Sequence, residues 1–328
     1  MRIGKLPNSM LKSVVLNYLP ASGKNVLCGA GIGTDCAALD YGKYACVLTT
    51  DPITGAVHDI GRLAVHIACN DLAAAGAKPL GLLVTILAPP AASVADFKRV
   101  TRDLIKTAVA IPVAIIGGHT EVTPAVNRFL LSITAVGRVG KRQLIKSSGA
   151  RPGDALILTK SAGLEGTAII AREHEQELVR QFGQARVKRA QRFIDRISVV
   201  PEGRIAAACG AHAMHDVTEG GVLGAVWEMA EAAGRGAIID QASIPIEPET
   251  RDICRVYGIN PLRLISSGAM LIACAPGCGL VPKLKKKGIP AVIIGRITSA
   301  ETRTLISGPR RLPIVEPGPD ELYKVVYK

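Results

Sequence analysis

Twice along this chain, β-branched apolar runs alternate with alanine-rich helical stretches, and Gly or Pro punctuates each change. That alternation argues for an α/β (α+β) protein in two parts. In the first pass, residues 6–19 read as a short amphipathic helix stopped at Pro20. A glycine-rich turn, Gly29-Ala-Gly31-Ile-Gly33, follows it. Residues 44–50 form a strand closed by Asp51-Pro52, residues 61–76 a helix, and residues 80–87 a strand ended by Pro89-Pro90. Ser93 caps a helix to about residue 110. Residues 113–116 are a strand running into Gly117-Gly118, and residues 129–139 are a long strand. Arg151-Pro-Gly-Asp154 is a turn by composition, which places a domain boundary between 1–150 and 151–328. The pattern then restarts, with strands at 155–159, 213–216, 269–273 and 291–297 and helices at 166–172 and 219–233. Residues 184–197 read as one amphipathic helix, its apolar face made of Val187, Ala190, Ile194 and Ile197.

Composition narrows the function classes. At 48% hydrophobic and 20% charged residues, the 328-residue chain can build a packed core, and wholesale disorder is excluded. Aromatics are only 3%, so Ala, Val, Ile and Leu must fill that core. Charged residues interrupt every long apolar run before about 18 residues, so no membrane span is expected. The opening Met1-Arg-Ile-Gly-Lys-Leu-Pro7 lacks the apolar stretch of a secretion signal, and the eight cysteines are scattered, mostly inside apolar runs. A reduced, cytoplasmic chain is the expectation. Cys274 and Cys278 offer two thiols without the further ligands zinc needs. The net charge of +13 suits phosphate-bearing partners. No aromatic pairs stand near the basic runs to stack bases, which argues against single-stranded nucleic acid as a partner. Lys283 to Lys287 and the Arg189, Arg192, Arg196 face read as solvated surfaces.

Several residues stand out for chemistry. The glycine turn is neither a dinucleotide fingerprint, since Thr34 stands where a third Gly is needed, nor a Walker loop. Asp35 follows it, and Asp51 ends an apolar strand, where open α/β sheets place ligands. Asp71 lies on the core-facing stripe of its helix, with Ile67, Ala68 and Ala75 around it. A carboxylate there needs a cation, an Arg or several donors, and Asn70 beside it adds an oxygen. Three such carboxylates could gather around Mg²⁺. Gly117-Gly118 can let backbone N–H groups approach a phosphate. His119 is open to three roles, as ligand, proton donor or hydrogen-bonded loop residue. Asp216 and Thr218 are each either a helix cap or, for Asp216, a group facing a second metal or a phosphoryl acceptor. His212 and His215 have an odd separation, so on a strand they face opposite sides.

Taken in order, Gly33-Thr-Asp35-Cys-Ala-Ala, Thr49-Thr-Asp51, Asn70-Asp71-Leu-Ala-Ala-Ala-Gly76-Ala-Lys-Pro79, Gly117-Gly-His-Thr120, Arg151-Pro-Gly-Asp154 and His215-Asp-Val-Thr-Glu-Gly-Gly221 carry a resemblance over residues 4–298. The chain resembles the ATP-binding superfamily of aminoimidazole ribonucleotide (AIR) synthase, thiamin-monophosphate kinase, selenophosphate synthetase and HypE. Gly4-Lys5-Leu-Pro7, Ile259-Asn-Pro-Leu262 and residues 151–171 bring it nearest to HypE-like proteins. The resemblance implies a two-domain AIR-synthase-like fold. Its N-terminal domain would pair with a second subunit in a homodimer-spanning β-barrel, and its C-terminal domain would be mixed α/β. It also implies ATP and Mg²⁺ as cofactors, with Asp35, Asp51 and Asp71 as metal ligands. Gly33, Asn70, Gly117, Gly118 and Thr120 would join them in binding the nucleotide, and Asp216 and His119 would be catalytic. The implied reaction passes the terminal phosphoryl of ATP to an acceptor, either a small molecule or protein-carried, with hydrogenase-maturation proteins among the implied partners. A non-catalytic nucleotide-binding scaffold is the competing reading. Two departures are plain: His119 stands where the family has Asp or Glu, and Ser266-Ser267-Gly268 where HypE has an acid before Gly. The last cysteine is Cys278, so the HypE-type terminal cysteine is not expected to act here.

Overall fold

The computed structural model describes residues 3–54 and 58–326. Six strands from the first half form one open sheet: β1 (Val26–Cys28), β2 (Ala37–Tyr41), β3 (Tyr44–Ile53), β4 (Lys78–Ala88), β5 (Ala114–Val122) and β6 (Leu130–Gly140). Their order is β1-β2-β3-β6-β4-β5, antiparallel throughout except for the parallel β4–β5 pair at one edge. Helix α1 (Asn8–Val14) precedes the sheet; α2 (Ile60–Ala74) and α3 (Val94–Ala110) pack together, with α2 against β3 and β6. Ser93 and Asp96 close a reciprocal capping box at the start of α3, satisfying backbone donors that the helix leaves open.

Two local expectations are corrected here. Strand β3 does not close at Asp51-Pro52 but runs through them to Ile53. β2 has left β3 by Leu48, so one side of the strand is open at Pro52, and an open edge tolerates proline. Likewise Gly117-Gly118 is not a loop after a strand but the middle of β5. Gly118 has φ +150°, and a Cβ there would meet the Val84 carbonyl oxygen at 1.9 Å. The close approach of β5 to β4 explains that glycine.

The second sheet comes from β7 (Ala155–Thr159), β8 (Ala213–Asp216), β9 (Gly236–Asp240), β10 (Met270–Cys274), β11 (Ala291–Thr298), β12 (Arg303–Ser307) and β13 (Arg310–Pro313). Its order is β13-β12-β9-β11-β7-β10-β8. Around it lie α4 (Leu164–Glu173), α5 (Glu175–Phe182), α6 (Gln184–Gln191), α7 (Val200–Ala208), α8 (Gly221–Ala232), α9 (Pro248–Tyr257), α10 (Leu280–Lys286) and α11 (Tyr323–Val326). The single helix expected over 184–197 is α6 followed by a 3₁₀ turn at Arg192–Arg196. Its four apolar-face residues are buried as expected. Beyond that turn, Asn70 on α2 donates to the Ile197 carbonyl at 2.9 Å and accepts from the Val199 N–H at 2.8 Å.

α2 is the hinge of the architecture. Fourteen of its residues are buried, because the N-terminal sheet covers one side while α7 and β8 cover the other. A helix apolar nearly all round is one buried all round. Leu63 and Ile67 of α2 share a continuous apolar core with Leu131 and Ile133 of β6 and with Leu164 and Ile170 of α4. The two sheet-containing domains therefore meet along α2, and polar residues left on this seam face each other.

Candidate functional site

A cavity of about 480 Å³ opens on that seam. Asp35 reaches it from the loop before β2, Asp51 from β3, Asp71 from α2 and Asp216 from the end of β8. The first three come from separate stretches of the N-terminal half, the fourth from the other domain. Thr49 joins two of them: its hydroxyl lies 2.5 Å from an Asp71 oxygen and 3.1 Å from an Asp51 oxygen. One hydroxyl proton can serve only one carboxylate at a time. Burial, with Asp216 and Asp51 close by, pushes the Asp71 carboxyl well above its usual range. Burial, with Asp35 beside it, raises Asp216 to about 7 against the pull of His215. These shifts are what like charges crowded in a dry place must show.

His215 precedes Asp216 on β8, so the two side chains leave opposite faces of the strand. Its Nδ1 lies 2.7 Å from an Asp35 oxygen and its Nε2 3.0 Å from Glu228 of α8. Burial would lower its pKa, but Asp35 and Glu228 outweigh it and hold the ring protonated, well above the usual histidine value. Asp35, His215 and Glu228 are thus a charged clamp between the domains. Among the described residues, Asp35, His215 and Asp216 also form the one group whose potential ligand atoms lie within 4.8 Å of one another. A protonated imidazole cannot ligate a cation. It can orient Asp35, which leaves carboxylate oxygens as the donor set. Asp216 Oδ2 is buried with no hydrogen-bond partner. An all-oxygen set with one orphaned oxygen fits Mg²⁺, a hard cation that shares its oxygen ligands with phosphates.

Another part of the cavity lining has a different character. Glu165, in the first turn of α4, is 3% exposed, and its Oε2 has no partner. Burial raises its pKa to about 7, with Ser267 pulling the other way. Asp320 accepts three backbone N–H groups, from Gly220 at 2.7 Å, Leu322 at 2.8 Å and Ile265 at 3.1 Å. Burial still raises it to about 7. Lys5, also in the lining, donates weakly to Thr218, 3.5 Å away. Desolvation would lower the Lys5 ammonium, but Glu228, Glu219, Asp51 and Asp216 raise it.

Sequence reasoning brought four of its residues to this place: Asp35, Asp51, Asp71 and Asp216. Asp216 caps nothing, since α8 starts from Gly220 without a side-chain cap. Gly33 lies next to the site, with φ +67°, and a Cβ there would meet the Glu228 carbonyl oxygen at 2.6 Å. The turn is thus pressed onto α8. Asn70 does not point its oxygen at the carboxylates; that oxygen is taken by Val199. Gly117, Gly118, His119 and Thr120 do not meet the carboxylates within the chain. They lie on edge strand β5, where His119 Nε2 contacts Glu121 at 3.3 Å and the imidazole is largely exposed. Thr49, His215, Glu228, Glu165 and Lys5 were missed as site residues. A carboxylate flanked by apolar or small residues on its helix, as Glu228 is by Trp227 and Met229 and Glu165 by Leu164 and Gly166, is the signal that would have found two of them.

Comparisons with known proteins bear on the family and the fold. The family model described as AIR synthase related protein, N-terminal domain, matches residues 33–139. The corresponding C-terminal domain model matches residues 151–307. A hydrogenase expression/formation protein of Methanocaldococcus jannaschii is 31% identical over 312 residues, 92% of this chain and 91% of that protein. A carbamoyl dehydratase HypE of Rhodobacter capsulatus is 28% identical, over 77% of this chain and 75% of that one. The solved structure of the hydrogenase maturation protein HypE in complex with ATP superposes with a TM-score of 0.70 at 19% identity, covering 98% of both chains.

Proposed function

The chain belongs to the AIR synthase related protein family, and we propose that it binds Mg²⁺–ATP on its interdomain seam and passes the terminal phosphoryl group to an acceptor oxygen. The observation that carries this reading is the meeting of Asp35, Asp51, Asp71 and Asp216 at one cavity, one of their buried oxygens unpartnered. Asp35, Asp51, Asp71 and Asp216 would hold Mg²⁺, whose positive charge would offset that of the phosphates. The chain's own part is positioning. His215 orients Asp35, and Thr49 keeps Asp51 and Asp71 together. Lys5, in the lining of the same cavity, would supply a cation for the phosphates. Phosphoryl transfer asks little more of a protein than such placement and charge.

The acceptor half is built around Glu165 and Ser267. A carboxyl near 7 can take a proton from an acceptor at neutral pH. Relatives named as carbamoyl dehydratase and hydrogenase expression proteins support an acceptor of carboxamide type, handled within hydrogenase maturation. The eight free cysteines suit a reducing, cytoplasmic setting. No helix among the described residues is long and apolar enough to cross a membrane.

A second copy of the chain is the proposed partner at β5. Leu80 and Leu83 of β4 and Ile115, Ile116 and Val122 of the edge strand β5 are each more than two-fifths exposed, and among the described residues no further strand pairs with β5. Such an edge is covered in a stable protein. Gly117 to Thr120 would then lie in the interface.

The test is turnover. Mg²⁺–ATP is incubated with protein and with hydroxyl, carboxylate or S-carbamoyl peptide acceptors, and ADP is measured. One acceptor class should give ADP in step with its own modification, and Asp216→Asn should lose at least tenfold of that rate. Nucleotide binding with no acceptor-dependent ADP would instead favour the scaffold reading.

A further inference from the structure

The strand β10 ends in Cys274, fully buried, and the chain then turns through Ala275-Pro276-Gly277 to Cys278, which is half-buried. The Cys278 N–H donates to the Ala275 carbonyl at 3.2 Å, and Gly277 has φ +76°. Proline second and a positive-φ glycine third is the signature of a type II turn. This turn is rigid by composition, and it folds Cys278 back on Cys274 so that the two sulfurs lie 2.8 Å apart. Non-bonded carbon atoms, smaller than sulfur, rest about 3.5–4.0 Å apart. A disulfide bond measures about 2.0 Å. The sulfurs are therefore held well inside ordinary contact and a short movement from bonding.

A shared metal does not account for this. Two thiolates on one tetrahedral zinc, each about 2.3 Å from it, would stand roughly 3.8 Å apart. Cys209 lies near, but among the described residues no third ligand atom joins the pair within 4.8 Å.

We propose that Cys274 and Cys278 are a modification site, a thiol pair that closes to an intramolecular disulfide by exchange with a low-molecular-weight disulfide. Cys278 faces the exposed turn and attacks first. Its thiolate bonds to one sulfur of the small disulfide, whose S–S bond breaks and releases one small thiol carrying the proton Cys278 gave up. Cys274 then loses its proton and bonds to the Cys278 sulfur, expelling the second small thiol. Two protein thiols are oxidised by two electrons, and the small disulfide is reduced to two thiols. Burial, with the Cys278 sulfur beside it, pushes the Cys274 thiol up, which suits the resolving role rather than the attacking one. The pair sits in the apolar cluster that also holds Ala73 of α2 and Met214 of β8, the elements carrying Asp71 and Asp216.

The experiment is equilibration of the full chain in glutathione buffers of rising oxidised fraction, then alkylation, digestion with trypsin and mass spectrometry. The peptide from Leu264 to Lys283 holds both cysteines. It should lose two hydrogens and two alkylatable sites while Cys209→Ser behaves as wild type. Cys274→Ser should stall with glutathione on Cys278, and Cys278→Ser should close no bond. Three results would each overturn the proposal. These are eight alkylatable thiols in fully oxidised buffer, a bond made to Cys209, or stoichiometric zinc in the purified chain that is lost in Cys278→Ser.

Discussion

Glu165 shows how far one buried carboxyl can be argued. In the unfolded chain it titrates near the ordinary Glu value; in the fold it titrates at about 7. A raised carboxyl contributes stability below the unfolded value and loses it as pH climbs through the folded one. Glu165→Gln keeps the shape and removes the charge. The variant should melt with wild type at pH 5 and a few degrees higher at pH 8, at roughly 2–4 °C per kcal/mol recovered in a domain of this size. Equal melting at both values in a thermal scan would mean Glu165 is not held in a dry pocket. Asp71 was legible from its place among Ile67, Ala68 and Ala75, because a lone carboxylate on an apolar stripe demands an explanation. Its neighbour Asn70 was not. Its partners are backbone groups at 197 and 199, and no local pattern announces a side chain that reaches so far along the chain.

At the level of elements, apolar periodicity placed β4, β6, β10 and β11 within two residues and β7 and β8 at their observed bounds, but stopped β3 and β5 short and gave no bounds for β1, β2, β9, β12 or β13. It failed where the reason for an element lies elsewhere. β13 is four exposed residues that pair only because β12 is beside them. The glycines of β5 read as a loop until Val84 appears against Gly118. The same strand supplies the sharpest prediction at this scale. A charge at an apolar edge position should oppose a second copy without touching the core. Ile116→Lys should sediment as a monomer at concentrations where wild type sediments as a dimer, and its melting should change little beyond what dissociation explains. Identical sedimentation of both would remove β5 as the interface.

Over the whole molecule, one domain's carboxylates are completed by the other's, and that has a cost in stability. Asp216, Glu165 and Asp320 are each raised to about 7, and Asp71 lies well above its usual range. His215, held charged by Asp35 and Glu228, adds stability that also declines as pH rises. Folding therefore binds protons between the ordinary carboxylate range and neutrality. The nucleotide-free protein should be most stable near pH 5 and lose several degrees of melting temperature by pH 8. Mg²⁺ with ATP should flatten that slope, because a cation replaces the protons. A melting temperature that climbs from pH 5 to 8 without ligand would contradict it. The net charge of +13 belongs to this scale too: a basic surface draws a polyphosphate toward a site that is itself acidic, so the metal must reconcile the two.

The most direct test is calorimetric titration with ATP, once with Mg²⁺ and once with a chelator, for wild type and Asp71→Asn. Wild type should bind at least tenfold more tightly with the metal, about 1.4 kcal/mol, and most of that advantage should vanish in the variant. Equal affinity with and without Mg²⁺ in wild type would mean the four carboxylates hold no cation for a triphosphate.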